Sequence, residues 1–256
     1  MTDSFYKEDL WGYGKRLSFV REAIASAYPQ KPATQISVLD VGCGTGSSLG
    51  IPLAEPGFRY TGIDTHARSI EEGRRLASDL ANANFVCGLV EALDAPLFDV
   101  VILSEVLEHV EDPTALLSTS LEKLTPDGLV IVTVPNGFGE FEWDSWIYEK
   151  TGLERLVAAL KARRTQQDHP IGGSTLNVEN GHVQFFTQKR LESIFADAGL
   201  EIVERRGSSI ASGPFAAHTL GRLPGFVELN AKLADHLPMY LASGWFFSLR
   251  RREEKP

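Results

Sequence analysis

The chain has 256 residues, 43% hydrophobic and 23% charged, an ordinary composition for a globular α/β protein with a sizeable core. A formal charge of −9 leaves no overall basic stripe for neutralising a phosphate backbone, so nucleic acid is not the expected partner and a small or neutral molecule is. Two cysteines exclude a disulfide framework, no run approaches the roughly 18 apolar residues of a membrane span, and residues 1–7 contain no signal-like apolar core, so a cytoplasmic setting is expected.

Residues 5–28 read as a helix, with Leu17, Val20, Ile24 and Ala27 on one apolar face, and Pro29 and Pro32 end it. Trp11-Gly-Tyr-Gly14 beside it reads either as aromatic packing or as a flap closing over a ligand. Ile36, Val38, Leu39 and Val41 then form a short apolar strand that runs into Gly42, Gly44 and Gly46. Three glycines so close suit a sharp turn where a ligand lies against bare main chain, and Ser47 to Leu49 can open a helix there. Pro52 and Pro56 cut that helix short.

Phe58–Asp64 is a second strand ending in an acid, Ala67–Leu80 a helix, and Asn84–Gly88 a third strand. Leu97–Leu103 is a continuous apolar strand of the kind that a parallel sheet covers on both faces. A helix over Pro113–Leu124, a turn over Thr125–Gly128 and a fifth strand over Leu129–Val134 follow. The order β-α-β-α-β-β-α-β predicts a doubly wound, mostly parallel α/β sheet. Residues 138–181 break the repeat and read as an inserted helical and loop lid. Thr187 is the expected N-cap of a helix to Ala198, with Gly199 its stop. Leu200–Arg205, a helix over Phe226–Leu237 and a last strand within 239–249 complete the chain. Arg250–Lys255 reads as a solvated tail.

The glycine turn admits two cofactor classes. A dinucleotide site wants G-x-G-x-x-G, whereas this chain has G-x-G-x-G with Asp40 inside the preceding strand. Asp64 stands about twenty residues past the turn, where a ribose-binding carboxylate belongs. Its plain alternative is to cap the helix from Ala67. Leu39-Asp-Val-Gly-Cys-Gly-Thr-Gly46 resembles the first motif of class I S-adenosylmethionine-dependent methyltransferases. That resemblance implies a seven-stranded Rossmann-like domain over residues 1–256, with an N-terminal helical segment (1–30) and the cap over 138–181. It also implies S-adenosyl-L-methionine as cofactor, with Asp40, Gly42 and Gly44 around the methionine portion and Asp64 on the ribose. Leu89, Val90 and Glu91 would lie near the adenine, and Ser104 completes the set. Many relatives place an acid directly after the third strand's glycine, where this chain has Leu89.

Ser104-Glu-Val-Leu-Glu-His-Val110 follows the fourth strand. Glu105, Glu108 and His109 are spaced i, i+3, i+4, which on one helical turn puts them on the same face. Two carboxylates that close repel, and a divalent cation resolves the cost; two oxygens with an imidazole suit Mg²⁺ or Mn²⁺. With His182, this segment is similar to that of ubiquinone-pathway O-methyltransferases and of small-RNA 2′-O-methyltransferases. The resemblance implies Glu105, Glu108, His109 and His182 as metal ligands and catalytic residues, the RNA branch being the poorer match for this charge. Without metal, His109 or His182 is the natural general base. Lys161, Arg163 and Arg164 could meet a phosphate, and Ser174, Thr175, Asn177 and Asn180 could hydrogen-bond a polyhydroxylated acceptor. The chain therefore reads as an O-methyltransferase of a small polar or glycan-like acceptor. Its rivals are a metal-free N- or C-methyltransferase, an NAD-dependent oxidoreductase and a non-catalytic cofactor-binding subunit.

Overall fold

The structure, a computed structural model, describes residues 10, 12–137, 150–151, 181–213, 216, 220–223 and 225–252. The lid expected over 138–181, with Lys161, Arg163, Arg164, Ser174, Thr175, Asn177 and Asn180, lies outside these residues except at 150–151 and 181, and Trp11 lies outside them too.

Seven strands form one sheet in the order β3-β2-β1-β4-β5-β7-β6. They are β1 (Ser37–Val41), β2 (Arg59–Asp64), β3 (Ala83–Cys87), β4 (Phe98–Ser104), β5 (Leu124–Pro135), β6 (Leu200–Gly207) and β7 (Gly244–Arg251). The first five run parallel, and β7 lies antiparallel between β5 and β6. The helices are α1 (Tyr13–Ala27), α2 (Gly50–Ala54), α3 (Ala67–Leu76), α4 (Pro113–Leu121), α5 (Gln188–Asp197) and α6 (Phe226–Leu233).

The period-two alternation of the central strands divides their side chains between two cores. Val38, Val100, Ile102, Leu129 and Ile131 pack on the face covered by α1, α2 and α3. Their neighbours Leu39, Val101, Leu103, Val130 and Val132 pack on the face covered by α4 and α5. Both faces are covered, which is why β4 is apolar from Val100 to Leu103 without a break. After β1 the chain proceeds to β2 on one side, while β4 flanks β1 on the other. The strand order thus reverses at β1, and a crevice opens at the carboxyl ends of β1 and β4.

Four expectations are corrected. Pro52 does not cut α2 but sits at its third position, where no intrahelical N–H is needed. Residues 125–128 are not a turn: β5 begins at Leu124, opposite Phe98, and a register shift between Phe98 and Val100 takes up the extra residues. Helices α3, α4 and α6 stop three or four residues earlier than their apolar spacing suggested, at Leu76, Leu121 and Leu233. Arg250 and Arg251 are not tail but β7, and Arg251 Nη2 donates to Leu121 O at 2.7 Å. Among the described residues no helix is long and apolar enough to cross a membrane.

Candidate active site

The glycine turn after β1 is left-handed at all three glycines, with φ of +74° at Gly42, +56° at Gly44 and +69° at Gly46. At Gly42 a β-carbon would also fall 2.5 Å from Val106 Cγ2, so backbone angle and space both demand glycine. The turn walls a cleft of about 460 Å³ at the switch point, within the usual range of small-molecule sites. Asp40, Asp64, Leu89, Val90, Glu91 and Ser104 line the same cleft. Val90 is buried against the core while Leu89 is 61% exposed at the rim.

The two aspartates differ. Asp64 Oδ2 accepts the Gly44 N–H and Oδ1 accepts the His66 N–H, each at 2.8 Å, so the carboxylate is oriented by main chain from both flanks. His66, not Asp64, caps α3 with its side chain. Asp40 is 3% exposed and takes the Tyr60 hydroxyl at 2.9 Å. Burial pushes its pKa up to about 7, against the opposing pull of Tyr60 and Arg16.

At the other end of the cleft the expected helical turn over 105–109 is absent. Glu105 is the single non-glycine residue with positive φ, +54°, among the described residues, and only Leu107–His109 make a 3₁₀ turn. The left-handed residue swings Glu105 away from Glu108 and His109. Its Oε1 accepts the Thr133 hydroxyl at 2.8 Å and stands 3.4 Å from Arg16 Nη1. Arg16 Nη1 also donates to Ser104 Oγ at 3.3 Å, and Ser104 in turn meets Thr133 at 2.9 Å.

Glu108, His109 and His182 do converge, with one ligand atom of each within 4.8 Å of the others. Main chain makes this meeting: Glu108 O accepts the N–H groups of Val183 at 2.9 Å and Gln184 at 3.0 Å, which docks the 181–187 segment beside the 3₁₀ turn. His109 Nδ1 lies 3.3 Å from Gly181 O. A carbonyl only accepts, so Nδ1 carries the proton and Nε2 presents its lone pair. That lone pair is 3.8 Å from Glu108 Oε1, and the His109 and His182 rings meet edge-on at 5.1 Å. Glu108 is 1% exposed and its Oε2 has no partner. Burial, then the charge of Glu105, pushes its pKa well above the usual carboxylate range. A lone pair facing a buried carboxylate calls for a positive centre between them, either a proton or a metal ion.

Two residues escaped the sequence reading. Among the described residues Arg16, 5% exposed, is the only lysine or arginine lining the cleft, against five carboxylates at 40, 64, 91, 105 and 108. Its signal was a cation on the apolar face that carries Leu17 and Val20. Thr133 is fully buried within an otherwise aliphatic stretch of β5, and that interruption was its signal.

A family model described as "Methyltransferase domain" matches residues 13–205. The chain is 28% identical over 194 residues to a ubiquinone biosynthesis O-methyltransferase of Rickettsia canadensis, covering 75% of this chain and 73% of that one. It is 30% identical over 214 residues to the mitochondrial enzyme of that name from Mus musculus, covering 79% of this chain and 52%, about half, of the mouse protein. A solved magnesium protoporphyrin IX methyltransferase from Synechocystis PCC 6803 with bound SAH superposes with a TM-score of 0.56 at 18% identity, over 93% of this chain and 86% of that one.

Proposed function

Because this chain belongs to the methyltransferase-domain family and is an S-adenosylmethionine-dependent enzyme, we propose that it methylates a hydroxyl of a small polar or glycan-like acceptor beside a divalent-metal site. The relatives' naming as O-methyltransferases supports oxygen as the target. The observation that carries the metal is the convergence of Glu108, His109 and His182 around the buried, unpartnered Glu108 Oε2.

The donor set of the cleft fits the cofactor. S-adenosylmethionine supplies an electrophilic methyl on a sulfonium centre and its own leaving group. The five carboxylates suit its two positive charges, and Arg16 its single carboxylate. Gly42 lets the ligand lie on the main chain, and Gly44 acts through its N–H, which orients Asp64. Asp64, with each oxygen holding one N–H, keeps a lone pair on each for the ribose hydroxyls. The exposed Leu89 and buried Val90 offer an apolar edge for the adenine, with Glu91 near its amino group.

Two imidazoles and one carboxylate fit Mn²⁺, Fe²⁺ or Zn²⁺ better than the oxygen-seeking Mg²⁺, because Glu105 is not in the group. Glu108, His109 and His182 would hold the ion, whose Lewis acidity lowers the pKa of a hydroxyl. Glu105 stands outside this group and instead fixes Arg16. The acidic cleft disfavours a polyanionic acceptor, and two unpaired cysteines, Cys43 and Cys87, accord with a reducing cytoplasm.

The test is a calorimetric titration of Mn²⁺ into protein saturated with S-adenosylhomocysteine. Stoichiometric binding that vanishes in Glu108→Ala and in His182→Ala is expected. Absence of binding in the wild type would remove the metal and leave proton abstraction to His109 Nε2 or to His182, with the methyltransferase assignment intact.

A further inference from the structure

A second chamber of about 310 Å³ adjoins the cofactor cleft and shares Tyr13, Arg16, Glu105 and His182 with it. Its remaining walls come from the ends of β5 and β7, the loop after β6 and the 181–187 segment, with Phe185 and Phe246 as apolar surfaces and Ser208 and Ser243 among the polar ones. The volume lies at the lower end of small-molecule sites and admits one compact molecule, not a polymer.

The serines form a directed relay. Ser209 Oγ donates to Leu10 O at 2.6 Å, which uses its one proton. Ser243 Oγ has Ser209 O at 3.1 Å and Ser209 Oγ at 2.8 Å, so its proton goes to Ser209. The remaining contact, Ser208 to Ser243 at 3.0 Å, is then made only if Ser208 donates. Ser208 is 3% exposed and lines the chamber; its proton is committed to Ser243, so toward a ligand it offers only oxygen lone pairs. A β-carbon at Gly244 would lie 3.1 Å from this oxygen, so glycine there leaves it open.

We propose that this chamber is the acceptor pocket, and that Ser208 selects acceptors carrying a second hydrogen-bond donor, a hydroxyl or amino group, besides the hydroxyl that is methylated. The inference rests on the methyltransferase reading above. An acceptor whose second group is a carbonyl meets oxygen lone pairs at Ser208 unless the relay gives up its first bond. The shared wall of Arg16, Glu105 and His182 places the reacting end against the cofactor cleft.

Two probes of one shape test this: 3-hydroxybenzyl alcohol, whose second group donates, and 3-hydroxybenzaldehyde, whose second group only accepts. Titrated into protein saturated with S-adenosylhomocysteine, the alcohol is expected to bind about fivefold tighter, one net hydrogen bond's worth. Ser208→Ala should erase the preference by weakening the alcohol. Ser243→Ala should erase it by the opposite route, strengthening the aldehyde, because Ser208 then has its proton to give. Affinity for S-adenosylhomocysteine should be the same in all three proteins. Equal binding of the two probes to the wild type, a preference that survives Ser208→Ala, or no binding of either probe would overturn the proposal while leaving the methyltransferase reading in place. Failure of S-adenosylhomocysteine itself to bind would overturn both.

Discussion

Asp64 and Glu108 face one cleft from its two ends, and the fold treats the two carboxylates in opposite ways. Asp64 receives a main-chain N–H on each oxygen and remains open to the cleft. Glu108 is 1% exposed, with Oε2 bare and Oε1 3.8 Å from an imidazole lone pair. A saturated, oriented carboxylate is built to accept from hydroxyls that come and go without changing its charge. A deprived one is stable only with a proton or a cation, and so belongs where charge moves. On the proposed function, binding and chemistry are separated by what surrounds the same functional group.

The largest expected effect tests that separation. On the proposed ribose contact, Asp64→Ala would remove two charge-assisted bonds, each worth ~1.5–3 kcal/mol, so affinity for S-adenosylhomocysteine should fall at least a hundredfold by calorimetry. The Mn²⁺ stoichiometry should not change, because Asp64 contributes nothing to the Glu108, His109 and His182 group. Loss of Mn²⁺ binding in this variant would show that the two ends are one site and break the comparison.

The two ends also differed in how openly the sequence displayed them. The proposed cofactor end uses neighbours in the chain: strand, turn, strand and acid, with glycines whose angles only glycine takes freely, so pattern and spacing were enough to bring Asp40, Gly42 and Asp64 to one cleft. The reactive end depends on a residue-level conformation and on a long-range meeting. Glu105 adopts φ +54°, which no helical spacing rule foresees, and so leaves the face it was assigned to. His182 reaches the site because Glu108 O captures two N–H groups some 75 positions away, a contact that pattern reading does not encode. Arg16 was hidden in the same manner, as a cation on an apolar helix face whose partners, Ser104 and Glu105, stand at the end of β4. The continuation of β5 through Pro126 and Gly128 went unread because turn residues were given their usual meaning, while pairing with β4 through a register shift overrode it.

A smaller effect lies between the two ends, at Asp40. Its folded pKa of about 7 exceeds the unfolded value, so over the interval between them the cofactor-free folded protein keeps a proton that the unfolded chain has released. The stability this contributes is complete below the unfolded pKa, about 4, and is lost as the pH rises through 7. Asp40→Asn removes that slope, so its Tm relative to wild type should rise by several degrees between pH 5 and 8. The cationic cofactor favours the carboxylate, and wild-type affinity for S-adenosylmethionine should therefore increase over pH 6 to 8, up to about tenfold, while the Asn variant stays flat. Parallel stability curves for the two proteins would mean that Asp40 is ionised throughout this range.

The smallest effect sharpens the contrast at the reactive end. Gln184 Nε2 donates to Glu111 O at 3.0 Å, and its Oε1 accepts from Arg190 Nη2 at 2.7 Å, so the side chain staples the 181–187 segment beside the Glu108 turn. Gln184→Ala leaves the main-chain bonds to Glu108 O in place but loosens the segment two residues from His182. Mn²⁺ affinity should drop about threefold to tenfold, less than the ~10–100-fold cost of losing a contact made to a ligand itself, with S-adenosylhomocysteine affinity unchanged. A variant that binds Mn²⁺ as tightly as wild type would locate the ordering of His182 in the two bonds to Glu108 O alone. The reactive end would then rest, like the cofactor end, on main chain, and only the state of its carboxylate would still set the two apart.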